Sequence, residues 1–435
     1  MPPASPTTKA PGAGGPAYAI YVLVLLLVAG TLSNADRHVL SVLLPSIKRE
    51  FGLSDGAIGL IAGPAFILPY VLFTMPLARL ADRWSRRSVL AGAIAFWSVA
   101  TAICGLAVNA WQIVLGRLTV GMGEAGGAPP SQSLVASLFS KRRSLAMGVL
   151  ASGTYFGILV GLTGGSAIAD QWGWRAAFLT LAAPGLPLAL LIWLTGPRRR
   201  KVIDAPVLAQ DSVWSVLRQC LRIRSLVLLS LGMGLYVISG YASAIWLPSY
   251  FTLSHGMSMT QAGLWLGVGA ATGGISGSLA SGAIVDALLP RDQRWQLWVP
   301  AVGILLSFPL IVTMLLLPGG AAVTVGGHDI PMVAIISVTS AFLSSLWMGP
   351  SYAALARLLP LELRGQGVAL LVIVINVMGS MLGPPIAGLV SDLLAAPFGA
   401  ESLRYSLLSM SLLYVVGGLI VWRAASHYRA EMIHE

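Results

Sequence analysis

Residues 117–127, RLTVGMGEAGG, hold Arg117 and Glu124 seven positions apart in an otherwise small and apolar stretch. Seven residues are two helical turns, so both side chains leave one face of a helix. A second ionisable pair, Asp36 and Arg37, lies in SNADRHVL (33–40), inside another apolar run. A charge at the centre of a bilayer costs about 2.5–3.5 kcal/mol on insertion scales, which makes such residues functional candidates by default. The chemistry open to a carboxylate beside a guanidinium is proton exchange. The guanidinium favours the anion, while burial alone favours the acid. Two carboxylates sharing Arg117 can therefore trade a proton as access changes sides. On this reasoning Asp36, Arg117 and Glu124 form a proton-coupling set, with Glu124 the first carrier and Asp36 the second. The competing reading is a static buried ion pair that only joins two helices, since such pairs often stabilise little.

These residues must be positioned by membrane helices. Of 435 residues, 56% are hydrophobic and only 10% charged, with a mean hydropathy of +0.81. Too few charges remain to cover a soluble surface. Apolar runs long enough to cross about 30 Å of hydrocarbon recur along the chain. Twelve spans are expected near 18–44, 57–80, 88–107, 111–138, 145–168, 176–196, 225–252, 260–288, 297–317, 331–359, 365–393 and 402–424. Residues 1–17 are rich in Pro, Gly, Ala and Thr and read as a disordered N-terminus without the order of a signal peptide. Span one runs outward and span four inward, which puts Asp36 and Arg117 at similar depth. Glu124 then lies about 10 Å deeper, from the rise per residue.

The net charge of +11 is topological. Arg83, Arg86 and Arg87 follow span two; Lys141, Arg142 and Arg143 follow span four; Arg198, Arg199, Arg200 and Lys201 follow span six. Arg291 and Arg294 follow span eight and Arg364 follows span ten, while the alternate loops carry few bases. By the positive-inside rule these loops and both termini are cytoplasmic. No nucleic-acid partner is implied. The two cysteines, Cys104 and Cys220, and five histidines show neither disulfide nor metal spacing, so no metal and no cofactor are expected. A linker over 197–224 contains VWSVLRQCLRIR, a short amphipathic helix suited to the cytoplasmic membrane surface or to a plain tether. It separates bundles at 18–196 and 225–424, and 425–435 remains as a cytoplasmic tail.

The two bundles read as copies. LPS at 44–46 recurs at 247–249, GL at 59–60 recurs at 263–264, and Asp82 recurs as Asp286. Gly157, Gly161 and Asp170 recur as Gly379, Gly383 and Asp392 with an offset of 222. Duplicated six-helix halves around a midplane site suit an alternating-access carrier. Small residues at every fourth position, Gly153, Gly157 and Gly161 in span five and Gly379 and Gly383 in span eleven, permit close helix approach. No ionisable group lies deep in spans seven, ten or eleven. Those spans carry Tyr236, Tyr241, Trp246, Trp347, Tyr352 and Asn376, which suggests an apolar half-site or simple packing. With Arg117 for a headgroup, Tyr236, Tyr241, Trp246, Trp347 and Asn376 are the candidate substrate contacts.

With these features in place the chain resembles the major facilitator superfamily over residues 18–424. Its loop signature, Gly-x-x-x-Asp-Arg-x-Gly-Arg-Arg, stands here as Ala78 to Arg87, with Ala78 and Ser85 replacing the glycines. The resemblance implies an all-α membrane protein of twelve transmembrane helices in two pseudo-symmetric six-helix bundles. It implies that Asp82, Arg83, Arg86 and Asp286 latch a cytoplasmic gate, Asp82 facing the N-terminus of span eleven, and that the glycine ridges line the seam between halves. A finer likeness lies in Asn34-Ala35-Asp36-Arg37 and in Arg117 to Ala125, which resemble the spinster branch. That branch implies a proton-coupled carrier of amphipathic anions such as sphingosine-1-phosphate or lysophospholipids, monomeric, in a bacterial inner (plasma) membrane. In the expected cycle protonation frees Arg117 for an anionic headgroup, and proton entry with substrate exit makes an antiporter. The organic anion:cation symporters share the same motifs, and multidrug efflux shares the apolar half-site, so a proton-driven symporter of small carboxylates and an efflux antiporter stay open. The first of these wants a second cation at the site, for which Arg357 is the candidate. An enzyme would need a nucleophile–base pair at depth, and His38 beside Asp36 does not supply one because adjacent helix positions diverge.

Overall fold

The computed structural model describes residues 15–139, 142–197 and 213–432. The expected disordered segment up to residue 14, Lys141, the basic run Arg198–Lys201 with most of the linker, and residues 433–435 lie outside the described residues. The first half runs through α1 (Pro16–Phe51), α2 (Asp55–Ala62), α3 (Pro64–Arg83), α4 (Arg86–Gly105), α5 (Ala110–Glu124), α6 (Ala128–Leu138), α7 (Arg143–Leu159), α8 (Gly165–Ala182) and α9 (Gly185–Thr195). After α10 (Val213–Cys220) the second half comprises α11 (Arg224–His255), α12 (Met259–Leu288), α13 (Trp295–Leu316), the hairpin β1 (Ala322–Val325) and β2 (His328–Pro331), α14 (Met332–Ser344), α15 (Met348–Arg357), α16 (Leu361–Phe398) and α17 (Ser402–Glu431).

Among the described residues nine helical stretches are long and apolar enough to cross a membrane. Two of them, Leu145–Thr195 and Leu371–Glu431, have 51 and 61 residues, more than twice the roughly 20 needed for one crossing. Gly173 and Gly399 interrupt them at φ of 82° and 52°, values that glycine adopts without steric cost. Taking each as two crossings and adding the broken α5–α6 crossing gives the twelve expected. The breaks have local causes. Gly63 precedes Pro64 between α2 and α3, and Ala125–Gly127 precedes Pro129 and Pro130 between α5 and α6. Span five carries a π turn over Val160–Gly164.

The duplication extends to the helix ends. α1 and α11 both stop at a left-handed glycine, Gly52 and Gly256, and the next helices are capped by Ser54 and Ser258. Both pairs are 204 residues apart. The 318–330 loop contains the β1–β2 hairpin, which the sequence reading missed; its turn, Gly326–Gly327, has φ of 59° and 81° and so favours antiparallel pairing.

Packing corrects two expectations. The span-five ridge does not line the seam between halves. A Cβ on Gly157 or Gly161 would meet Thr31, Asn34 and Ala35 of α1, and one on Gly379 or Gly383 would meet Val237, Ile238 and Tyr241 of α11. Gly153 likewise faces Leu27. These ridges therefore fuse spans five to one and eleven to seven inside each half. The seam uses other glycines: Gly59 and Gly63 of α2 meet Pro384, Pro385 and Ser380 of α16, and Gly263 and Gly267 of α12 meet Leu162, Thr163 and Ser166. The linker helix is also not simply laid on a membrane surface. Val216 and Cys220 of α10 are buried, and the helix packs on α16. The expected tail remains helical to Glu431, whose carboxylate accepts from the backbone N–H groups of Arg224 (3.2 Å) and Ser225 (2.7 Å) at the start of α11.

Gly161→Leu should separate α7 from α1, because overpacking a tight contact costs about 1–3 kcal/mol. The expected result is an apparent Tm several degrees lower in detergent, while Gly240→Ala, where a Cβ meets open space, leaves it unchanged or slightly raised.

Candidate functional site

The site gathers side chains of α1, α3, α4 and α5. α5 carries no Cβ at Gly121 and Gly123, whose positions abut the Phe66 backbone and Trp97. Those glycines press α5 against α3 and α4. Arg117 Nη1 lies 3.2 Å from Asp36 Oδ2, and Thr101 Oγ1 donates to Asp36 Oδ1 at 2.8 Å. This is the pair anticipated from depth. Glu124 does not share Arg117. Its Oε2 accepts from Arg37 Nε at 2.6 Å and from Ser33 Oγ at 2.7 Å. There are thus two carboxylate–guanidinium pairs, and Arg37 is the partner that sequence reasoning left unassigned.

The pairs differ in access. Asp36, Arg117 and Glu124 are 3%, 1% and 2% exposed, whereas the Arg37 side chain is 30% exposed. An aromatic joins the pairs: the guanidinium carbons of Arg37 and Arg117 lie 4.8 and 5.0 Å from the Phe66 ring centre. Arg37 also lies 4.8 Å from the Tyr70 ring. Such placements favour the cation, more so when desolvated. Glu124 Oε1 and Arg117 Nε are buried with no hydrogen-bond partner among the described residues. His38 directs Nδ1 at the Asn34 carbonyl of its own helix, 2.8 Å away, and forms no pair with Asp36.

A cavity of about 350 Å³ opens on this site. Ser33, Asn34, Arg37, Tyr70, Glu124 and Gln132 form its polar wall, and Leu26, Trp97, Met147 and Leu150 its apolar wall. Asp36 and Arg117 are not in the lining. The cavity lies in the first half, so the half that carries the ionisable groups also supplies an apolar surface.

The second half faces it with a hydrogen-bonded aromatic cluster. Tyr236 donates to the Ser344 carbonyl at 2.6 Å and meets Trp347 and Tyr414 edge-on at 5.7 and 5.2 Å. Trp347 meets Tyr352 at 5.7 Å. Tyr241 donates to Asn376 Oδ1 at 3.2 Å and stands within electrostatic reach of Arg37 and Tyr70 across the seam. Trp246 is placed elsewhere. It is fully buried, with Nε1 donated to the Pro384 carbonyl at 3.0 Å, so it supports α16 and does not line the cavity.

Asp82 and Asp286 are exposed at the end of the molecule that carries Arg83, Arg86 and Arg87, here termed the basic end. Asp82 accepts from Arg86 at 3.2 Å, one turn along. Ser85, standing in a signature glycine position, caps α4 by accepting from Ser88 N–H at 3.3 Å. Arg294 holds the Asp292 carboxyl of the same end below the usual carboxylate range. Arg357 donates to Gln293 at 3.2 Å, also at this end, and does not enter the cavity lining.

A family model described as Major Facilitator Superfamily matches residues 26–326. The chain is 31% identical over 426 residues to an MFS-type efflux pump of Mycolicibacterium smegmatis, covering 97% of this chain and 96% of that protein. It is 26% identical over 430 residues to protein spinster homolog 1 of Homo sapiens, covering 93% and 80%. The crystal structure of a bacterial homolog to the human lysosomal transporter spinster, inward-facing and unoccupied, superposes with a TM-score of 0.86 at 24% identity, covering 97% of this chain and all of that one. Duplication, crossings and family match agree: the chain belongs to the Major Facilitator Superfamily, and it is a transporter and not an enzyme.

Proposed function

We propose that this transporter is proton-coupled, works by alternating access, and moves an amphipathic anionic substrate, with Arg37 as the group on which substrate and proton meet. The observation that carries the reading is Glu124: a buried carboxylate in the cavity wall, held through one oxygen by Arg37 and Ser33, with the other oxygen unpartnered. An anionic headgroup entering the cavity meets Arg37, the cation in its lining. Drawing Arg37 away leaves Glu124 buried without its counter-charge, a state that favours the protonated acid. Conversely, protonation of Glu124 frees Arg37 for the headgroup. Substrate and proton thus promote each other's binding at this pair, which supports their moving together. The exchange cycle expected from the sequence would have to run through Asp36, whose partner Arg117 is sealed behind the lining.

The headgroup then lies against Ser33, Asn34 and Gln132, and an apolar tail against Leu26, Met147 and Leu150. Tyr241, Asn376, Tyr236 and Trp347 of the second half approach from across the seam. Of the expected contacts, Arg117 acts through Phe66 and Asp36, and Trp246 acts as support for α16. The likeness to spinster homolog 1 favours a lipid-like substrate, and the likeness to an MFS-type efflux pump favours an apolar drug-like one. A small carboxylate would want a second cation in the cavity, and Arg357 is held at the basic end. The basic end, with Asp82, Arg83, Arg86 and Asp286 as its latch when closed, faces the cytoplasm of a bacterial inner membrane under the positive-inside rule. A monomer contains the whole of the site.

Purified protein in liposomes with an internal pH dye tests this against lysolipids, sphingoid phosphates, hydrophobic cations and small organic anions. Glu124→Gln should lower pH-driven flux at least tenfold while leaving the apparent Tm near wild type; unchanged pH-driven flux overturns the assignment. Hydrophobic cations as the moving substrate would select the efflux reading.

The two arginines should separate by degree. Arg37→Gln should raise KM for an anionic substrate and lower the apparent Tm less than Arg117→Gln, because Arg37 is the more exposed partner and Glu124 can take up a proton. Arg117→Gln should lower the apparent Tm strongly, since removing one partner of a buried pair costs about 3–5 kcal/mol. Asp36→Leu combined with Arg117→Met should restore most of that loss.

A further inference from the structure

The seam between the halves is closed by hydrogen bonds at the end opposite the basic one, and they follow the internal repeat. Asp392, in the last part of α16, accepts from the N–H groups of Asp55 (2.9 Å) and Gly56 (2.8 Å) at the start of α2. Asp170, in α8, accepts from the N–H of Thr260 (2.7 Å) and from its hydroxyl (2.5 Å) at the start of α12. Gly56 and Thr260 are 204 residues apart, and Asp170 and Asp392 are 222 apart, the two offsets of the duplication. Each helix therefore begins with a divided cap. Its own serine, Ser54 or Ser258, takes the N–H of Ala57 or Gln261 (3.2 and 3.1 Å), and the carboxylate of the other half takes the N–H groups before it. The first N–H groups of a helix have no partner within it, and an anion there is further favoured by the helix dipole.

Directly behind each cap lies a pair of glycines pressed on the other half. Gly59 and Gly63 rest on the backbone of α16, and Gly263 and Gly267 rest on span five. A second layer surrounds one cap: Ser391 Oγ donates to Asp55 Oδ2 at 2.8 Å and Lys48 Nζ reaches Asp55 Oδ1 at 2.5 Å. Asp82 and Asp286 end spans two and eight at the basic end, so the four seam helices carry carboxylates at both ends of the molecule.

We infer that Asp170 and Asp392 are a matched pair of positioning residues that hold the end opposite the basic one closed, each capping the first turn of a span that belongs to the other half. The inference takes alternating access from the proposed function, but it needs no substrate and no proton-coupling site. Opening this end removes both carboxylates from the helix starts and returns those N–H groups to water. The two caps correspond by the repeat, so both bear on one equilibrium.

The test uses full-length protein in liposomes, with Cys104 and Cys220 changed to alanine and spin labels at Val108→Cys and Leu316→Cys. Both label positions are exposed, one at this end of each half. Wild type should show mainly the short inter-label distance. Asp170→Ala and Asp392→Ala should each raise the ratio of long to short distances about tenfold, as expected for losing one cap, and together by more. Asp392→Asn, which keeps an acceptor, should shift it less. Thr260→Val leaves both carboxylates in place and removes one donor, so it serves where the double variant does not fold; a rise with an unchanged apparent Tm supports the caps. An unchanged ratio in a folded double alanine variant, or in Thr260→Val if the double fails, overturns the inference. Failure of Glu124→Gln to alter flux would leave this result standing.

Discussion

Two carboxylate–guanidinium pairs buried in the first half constrain the rest of the fold. Removing such groups from water costs several kcal/mol per ion, and only close pairing with further hydrogen bonds offsets it. Asp36 has Arg117 and Thr101; Glu124 has Arg37 and Ser33. Each pair joins a side chain of α1 to one of α5, which fixes the relative depth of the two helices. The small residues after Arg117 serve a neighbouring contact, that of α5 with α3 and α4. A side chain at Gly121 would strike the Phe66 backbone, and one at Gly123 would strike Trp97. The glycines set how closely α5 packs on the helices that carry Phe66 and Thr101.

The ring of Phe66 sets how the pairs relate. With two guanidinium groups about 5 Å from its centre, it receives two cations that would otherwise repel in a poorly screened interior. The ring is the contact common to both pairs. The Arg37 guanidinium also lies over the Tyr70 ring, and Tyr241 of the second half stands within its electrostatic reach.

Much of this was legible in the sequence because it rests on length and periodicity. Twelve apolar runs, an alternating charge bias and a repeated order of motifs do not depend on side-chain packing. The Asp36–Arg117 pair was legible for the same reason, since depth along two antiparallel helices follows from rise per residue. The partner of Glu124 was not. Asp36 and Arg37 are neighbours in sequence, and neighbours on a helix point about 100° apart, so one depth argument served for Asp36 and overlooked Arg37. The glycine ridges failed differently. A GxxxG pattern shows that some helix comes close, yet Gly157 is the same residue whether α1 or α12 approaches it. Trp246 was misplaced because an indole reads alike as a ligand contact and as a buried donor to a carbonyl.

The repeat explains why the seam divides its work between two kinds of residue. Inside each half, glycines of spans five and eleven are buried against spans one and seven, and nothing in a rocking motion needs to separate them. Across the seam, part of the contacting surface is short glycine pairs backed by hydrogen bonds to helix starts, beside side-chain contacts such as Tyr155 on Gly274 and Ser278. Where backbone meets backbone there is close packing with little interdigitation, so that part of the surface separates without unthreading side chains. A carboxylate on a helix start is replaced by water at modest cost, because both groups are well solvated when apart. Strong fusion within the halves and readily reversible closure between them is the mechanical asymmetry that an alternating-access cycle requires. In this chain it is written twice, once in each copy of the repeat.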